Sequence, residues 1–435
     1  MKQIFLKLKN KTFTYANIYI TLSVLAMVAL FISVLLSHGE VLSRFFFYDE
    51  IDTGMDFFHS IEYVKGRSPY VVFNTLYPPL ANLLFYGLFR CIPVHVSECW
   101  SMDFYDSLNM RQSEFDLRTY QAPMILFLGM IIFSIIIIVF LAQRLLLQRY
   151  NIKYTNAIVF CMIFSYGMMW AIERGNIIML IFPLTIFFLF YYKSERRWVR
   201  ELACICLAVA AGIKVYPALM GILLLKDKKW KMAIRTIIYG VLSLFLPFLF
   251  FKGGLLNIKI WMQQMMQFGT GSNQPWIGNS LKSIFYRFQN YASYYLKIEI
   301  SDKYFGIIVY MILLLLFICV LNMKKRWQAI LIVTTIMCLY SEQGNYIYLF
   351  YCIPLLSFLL EETEITLENL IPYIGMILMI LPLPLFSVVN QSYPRTALVH
   401  CVDLVLIVWS VYELIKNRKA DSKLLKKELN EDRNG

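Results

Sequence analysis

Charge is scarce in this sequence. Asp, Glu, Lys and Arg together make up 16% of the 435 residues, against about 25% in a soluble globular chain. That shortage excludes a water-facing surface of ordinary composition. The chain is 59% apolar, with a mean hydropathy of +0.60. Its apolar residues collect in runs of about 17–25, long enough to cross a hydrocarbon core. A Gly-rich phosphate loop is missing, which excludes the usual soluble nucleotide site. A basic–aromatic nucleic-acid motif is missing too, so the formal charge of +13 is read as Lys and Arg held in cytoplasmic loops, with no nucleic-acid partner. No fixed-period repeat appears. The halves do not mirror each other, as those of an inverted-repeat transporter would. The spans are nearly free of charge at mid-depth. Seven of the nine cysteines (Cys161, Cys204, Cys206, Cys319, Cys338, Cys352 and Cys401) lie in apolar runs and read as small buried hydrophobes. Cys91 and Cys99 flank a polar loop and are the one pair suited to a disulfide.

The basic residues set the expected topology. They fall mostly into six clusters: Lys2–Lys11, Arg144–Lys153, Lys193–Arg200, Lys226–Arg235, Lys324–Arg326 and Lys416–Arg433. With all six cytoplasmic, both termini lie inside a multi-pass protein of the cell membrane. The first span, about 16–38, follows a basic N-terminus with no small-residue cleavage site, and so reads as a retained span. Residues 40–119 then form a first outer loop, in which Leu80–Val96 reads as a helix at the membrane interface. Spans follow near 120–147, 155–172 and 176–192. The run Glu201–Lys226 is too short for two crossings and is broken by Gly212, Lys214 and Pro217. It reads as a re-entrant or broken hairpin with Lys214 near its tip, beside a cavity. A span at 231–251 leads to a second outer loop, 252–303. Spans near 304–322, 327–341, 346–360, 366–387 and 397–415 complete one membrane domain, 1–415. A charged cytoplasmic tail, 416–435, reads as a frayed helix. The expected architecture is an all-α polytopic bundle of about 10–13 transmembrane or re-entrant helices.

The first outer loop carries four carboxylates within eight positions: Asp49, Glu50, Asp52 and Asp56. Asp52 and Asp56 share a face if this stretch is helical. A carboxylate just above a membrane bundle, in a partly dehydrated site, suits a general base. A solvated acidic loop is the other reading of the cluster alone. A lysine inside an apolar run, as Lys214 is, marks a functional position or a snorkelling residue at a hairpin tip.

The order of the motifs adds a resemblance. Asp56-Phe57-Phe58 is followed by a Gly–x–x–Pro–Tyr segment, Gly66–Tyr70, and then by Tyr77-Pro78-Pro79-Leu80. Later come Arg174-Gly175-Asn176, Lys214-Val215-Tyr216-Pro217, and Ser272-Asn273-Gln274 with Gly278. Across roughly 45–360, this order resembles the GT-C superfamily of membrane glycosyltransferases. It is most similar to glycosyltransferase family 87, the polyprenyl-phosphate-mannose-dependent mannosyltransferases and their relatives. The resemblance implies a GT-C-like fold and an inverting hexosyl transfer, with mannose the best-known sugar. It implies a polyprenyl-phosphate-linked donor and a glycan or glycolipid acceptor at the outer face. The first-loop acid then acts as base, which carries over to Asp56. Lys214, with Arg174 second, would stabilise the leaving phosphate. Asp49, Asp52, His59, Tyr70, Tyr77, Asn176, Asn273, Gln274 and Glu342 are the further substrate-binding candidates, with Trp276 and Asn345 as weaker ones. No His/Cys/Asp metal constellation is seen, although the clustered first-loop acids would suit a divalent cation. The expected partners are the lipid-linked donor, the acceptor and membrane lipids, with the protein a monomer. A transporter or flippase of lipid-linked glycans, or a surface-polysaccharide polymerase or ligase, are the alternative classes.

Overall fold

A computed structural model describes residues 14–46, 53–99, 117–270, 280–301, 304–340, 344–385 and 393–434. Most of these residues are helical, with no strand among them. The first span is α1 (Tyr15–Leu36), started by the Thr14 hydroxyl accepting from Asn17 N–H at 3.3 Å. Then come α2 (Glu40–Phe45), α3 (Met55–Val64), α4 (Pro69–Val72), α5 (Pro79–Phe89) and α6 (Val94–Cys99). The single helix expected over Leu80–Val96 is therefore two. Pro93 has no N–H with which to continue α5. Nor does α5 lie only at an interface: Ala81, Asn82 and Phe85 are fully buried.

The long span α7 (Gln121–Leu146) leads to α8 (Ile152–Ile163) and α9 (Tyr166–Arg174), a pair bent by 53°. After α10 (Ile178–Tyr191), α11 (Arg197–Ile213) ends at Lys214, whose backbone is extended. A 3₁₀ turn (Tyr216–Gly221) and α12 (Ile222–Lys226) return from there, so the apolar run is broken where Gly212, Lys214 and Pro217 led us to expect. α13 (Trp230–Phe245), continued by a 3₁₀ turn to Phe250, precedes α14 (Asn257–Thr270) and α15 (Leu281–Tyr291). The chain closes with α16 (Phe305–Asn322), α17 (Arg326–Tyr340), a 3₁₀ helix (Asn345–Tyr351), α18 (Cys352–Glu361), α19 (Leu367–Ile380) and α20 (Tyr393–Asn434). Among the described residues five helices are long and apolar enough to cross a membrane, six if the bent α8–α9 pair is one span. The fold is an all-α polytopic membrane bundle.

Helices surrounded by lipid associate through close packing, which small residues permit. α11 presents Ala203, Ala210 and Gly212 to its neighbours, all buried. A Cβ on Gly212 would meet Ser243 of α13 at 2.9 Å, and the Ser243 hydroxyl donates to the Ala208 carbonyl at 2.6 Å.

The described basic clusters gather at one end of the bundle. Lys193 pairs with Asp227 at 2.6 Å, Lys325 with Glu362 at 2.6 Å and Lys324 with Asp421 at 2.7 Å. Arg149 donates to the Glu362 carbonyl, and Lys416 pairs with Glu368. The Arg326 guanidinium lies 5.2 Å from the Tyr192 ring centre. The first cluster, Lys2–Lys11, lies outside the described residues.

Three readings need correction. The spans are not all free of charge at depth, because Asp403 is fully buried within α20 and Arg395 is buried near its start. One acid per long window barely lowers a run's mean hydropathy, so Asp403 was read through. Cys91 is a free, exposed cysteine, so the Cys91–Cys99 disulfide does not form. Cys206 is half-buried and Cys401 exposed, while the other five apolar-run cysteines are buried as expected.

Candidate active site

The site begins where α3 starts. Gly54 sits at φ +76°, in the left-handed region that glycine tolerates best. Its N–H donates to the Glu173 carbonyl at 2.8 Å, and the Thr53 hydroxyl donates to Glu173 Oε1 at 3.0 Å. These bonds fasten the start of α3 to the end of α9. Phe57 and Phe58 are buried, with ring centres 5.5 and 5.3 Å from Phe127. Their burial fixes the rotation of α3, and Asp56, one position earlier, is left half-buried rather than sealed in the core.

α9 delivers two partners to that carboxylate. It ends at Gly175, at φ +62°, where a Cβ would meet Phe127 at 2.6 Å and Phe57 at 2.9 Å. Only glycine fits this turn, which sets Arg174 and Asn176 on either side of Asp56. Arg174 donates to Asp56 Oδ1 at 3.0 Å, and Asn176 Nδ2 donates to Asp56 Oδ2 at 2.5 Å. The Asn176 side-chain oxygen accepts from Ile178 N–H and from Lys214 Nζ, both at 2.9 Å. Two donors on that oxygen fix the amide orientation, so its nitrogen must face the carboxylate. Asn176 is fully buried and couples Asp56 to Lys214.

Lys214 lies among tyrosines. Its ammonium is 4.4 Å from the Tyr346 ring centre, 5.5 Å from Tyr77 and 5.9 Å from Tyr216. Aromatic faces stabilise a cation that has lost its water. Tyr77 is set by its carbonyl, which accepts from Tyr70 Oη and Asn82 Nδ2, both at 3.2 Å. Tyr70 itself is fully buried against Phe248 and Phe251, so it braces the wall rather than facing a substrate. His59 stacks on Tyr63, with ring centres 6.0 Å apart. α14 lies across the first loop: Trp261 Nε1 donates to the Leu76 carbonyl at 3.1 Å, and Gln264 Nε2 donates to Asn74 Oδ1 at 2.9 Å.

The structure thus brings together Asp56, Tyr77, Arg174, Asn176 and Lys214, drawn from four separated stretches of sequence. Asp49, Glu50, Asp52, Asn273, Gln274, Trp276 and Glu342 lie outside the described residues. Tyr216 and Tyr346 were not singled out for this role. The available signal was position: Tyr216 lies inside the Lys–x–x–Pro segment, and Tyr346 directly follows the candidate Asn345 in sequence.

The model of glycosyltransferase family 87 matches residues 75–341. The chain belongs to glycosyltransferase family 87. No curated protein matches it significantly. The matched stretch holds Tyr77, Arg174, Asn176 and Lys214 of this glycosyltransferase, but begins after Asp56. The bonds from Arg174 and Asn176 are what attach the acid to the family's segment.

One further carboxyl in the enzyme's first loop gives a pH prediction. Glu62, on α3, is 9% exposed, and burial lifts its pKa from 4.5 to about 7, opposed by Lys65. The folded state therefore holds a proton that the unfolded chain has lost between these two values. The stability linked to Glu62 is complete below pH 4.5 and is lost as pH rises through about 7. Glu62→Gln is expected to remove this slope and to raise the melting midpoint above pH 7, where the gain reaches about 3 kcal/mol. Melting curves of both proteins from pH 5 to 8 check this; parallel curves contradict it.

Proposed function

We propose that this glycosyltransferase moves a hexose, mannose in the first instance, from a polyprenyl-phosphate donor to a glycan or glycolipid acceptor at the outer face of the cell membrane. The observation that carries the reading is the pairing of an accessible carboxylate with a caged ammonium through one buried amide. Each Asp56 oxygen accepts one protein hydrogen bond, leaving a lone pair on each for a substrate hydroxyl. Asp56 takes the proton of the acceptor hydroxyl. The acceptor oxygen attacks the anomeric carbon from the face opposite the lipid phosphate. The C–O bond to that phosphate breaks with its electron pair, and the configuration inverts. Lys214 uses one of its three N–H groups on Asn176 and has two left for the departing phosphate. A fixed cation aimed at developing charge lowers the barrier most in a partly dehydrated site. The gathered basic clusters suit a cytoplasmic face, which leaves the Asp56 site outside with both termini inside.

The test is transfer in proteoliposomes. Purified protein is given a synthetic polyprenyl-phosphate hexose and a membrane glycan acceptor, and product linkage is read by NMR. Transfer with inversion is expected. Transfer from a soluble nucleotide sugar instead, or retention of configuration, would overturn the reading.

A further inference from the structure

The last helix carries polar groups that the transfer mechanism does not use. Arg395 and Asp403 lie eight residues apart on α20, 3% and 0% exposed. Such groups are rare in membrane spans and, when present, face the protein interior. Each holds one of the two short segments that build the site. The Arg395 guanidinium lies 4.3 Å from the ring centre of Tyr166, where α9 starts, and its NH1 and NH2 donate to the Leu378 and Met379 carbonyls at 3.1 and 2.6 Å. Tyr351, at the end of the Asn345–Tyr351 helix, donates to Asp403 Oδ1 at 3.2 Å. The other ends of the same segments carry Arg174 and Tyr346. The two segments also interlock, since a Cβ at Gly167 would run into the Leu349 backbone.

We propose that Asp403 and Arg395 are positioning residues for the transfer reaction, holding the Asn345–Tyr351 helix and α9 from below so that Tyr346, Arg174 and Asn176 converge on Asp56 and Lys214. The inference rests on the reading that the Asp56 site performs transfer. A stability role explains Asp403 poorly. Asp403 Oδ2 is buried without a hydrogen-bond partner, and an apolar side chain in its place would insert at lower cost. What the acid supplies is a directional bond to one tyrosine.

Hydrogen exchange and kinetics in nanodiscs test this with Asp403→Leu, Tyr351→Phe, their double variant and Asp403→Asn. Asp403→Leu and Tyr351→Phe are each expected to speed amide exchange at least tenfold in 166–176 and 345–351 and nowhere else. Each should lower kcat at least tenfold with the donor KM unchanged. The double variant should be no worse than Tyr351→Phe alone, which already breaks the bond to Asp403 together with the hydroxyl's 3.3 Å contact with Thr335 Oγ1. Asp403→Asn keeps an acceptor for Tyr351 and should behave as wild type. Unchanged exchange in Asp403→Leu and Tyr351→Phe, or exchange raised throughout the chain, would overturn the proposal. Tyr351→Phe decides the matter if Asp403→Leu fails to fold. The exchange arm does not depend on activity, so an inactive wild type would reject the proposed function and leave this inference to be judged by exchange alone.

Discussion

Asp56→Asn is expected to lower kcat by about 10²–10⁴-fold, the range for losing a general base, while the protein still folds. Asn has nearly the shape of Asp and can still accept from Asn176, so the α3–α9 junction is kept. The Arg174 ion pair is lost, but both side chains are 20% exposed, and pairs in contact with water contribute about 0–1 kcal/mol. A melting midpoint within a few degrees of wild type should therefore accompany the loss of turnover. The donor KM should change little, because the base acts on the acceptor. Asp56→Glu moves the carboxylate by one methylene, out of reach of the fixed Asn176 donor, and should recover only part of the rate. Full activity in a properly inserted Asp56→Asn protein would remove Asp56 from the mechanism.

Lys214→Ala carries the second large effect, a fall in kcat of about 10²–10³-fold, as for removal of a fixed donor at a developing anion. Here too the fold should survive. Asn176 Oδ1 keeps its bond from Ile178 N–H, so no buried acceptor is orphaned. Removing a desolvated ammonium also lifts a cost that the tyrosine faces only partly offset. The melting midpoint should stay level or rise, which separates lost catalysis from lost structure. The defect should shrink with a donor whose leaving group needs less charge stabilisation, such as a lipid pyrophosphate. An equal defect with both donors would mean that Lys214 organises the tyrosine walls and does not act on the phosphate.

Much of the fold was legible in the sequence for one reason. In lipid the backbone must satisfy itself, so a long apolar run has helix as its stable form. That is why α1, α7, α13 and α16 lie within a few residues of the expected spans. The break at Lys214 was legible because Gly212 and Pro217 interrupt a run with a cation between them. The bend between α8 and α9 and the splitting of Leu80–Val96 were not, since both depend on how short helices dock. Asp403 was missed because a hydropathy average does not register one acid, whereas the packed bundle shows what it bonds.

The sequence by itself determined that this chain is a polytopic membrane protein and that Asp56, Arg174, Asn176 and Lys214 belong to one motif order. Those properties are local, written in run length, charge and residue spacing. Only the tertiary structure decided which of these side chains touch. Asn176 bridges Asp56 and Lys214 because Gly175 turns with no room for a Cβ. Tyr77, Tyr216 and Tyr346 surround one ammonium because the loop before α5 and two 3₁₀ segments converge there. Three of those contacts, Asp56–Asn176, Tyr77–Lys214 and Tyr346–Lys214, join residues more than a hundred positions apart, and no periodicity in the chain encodes them.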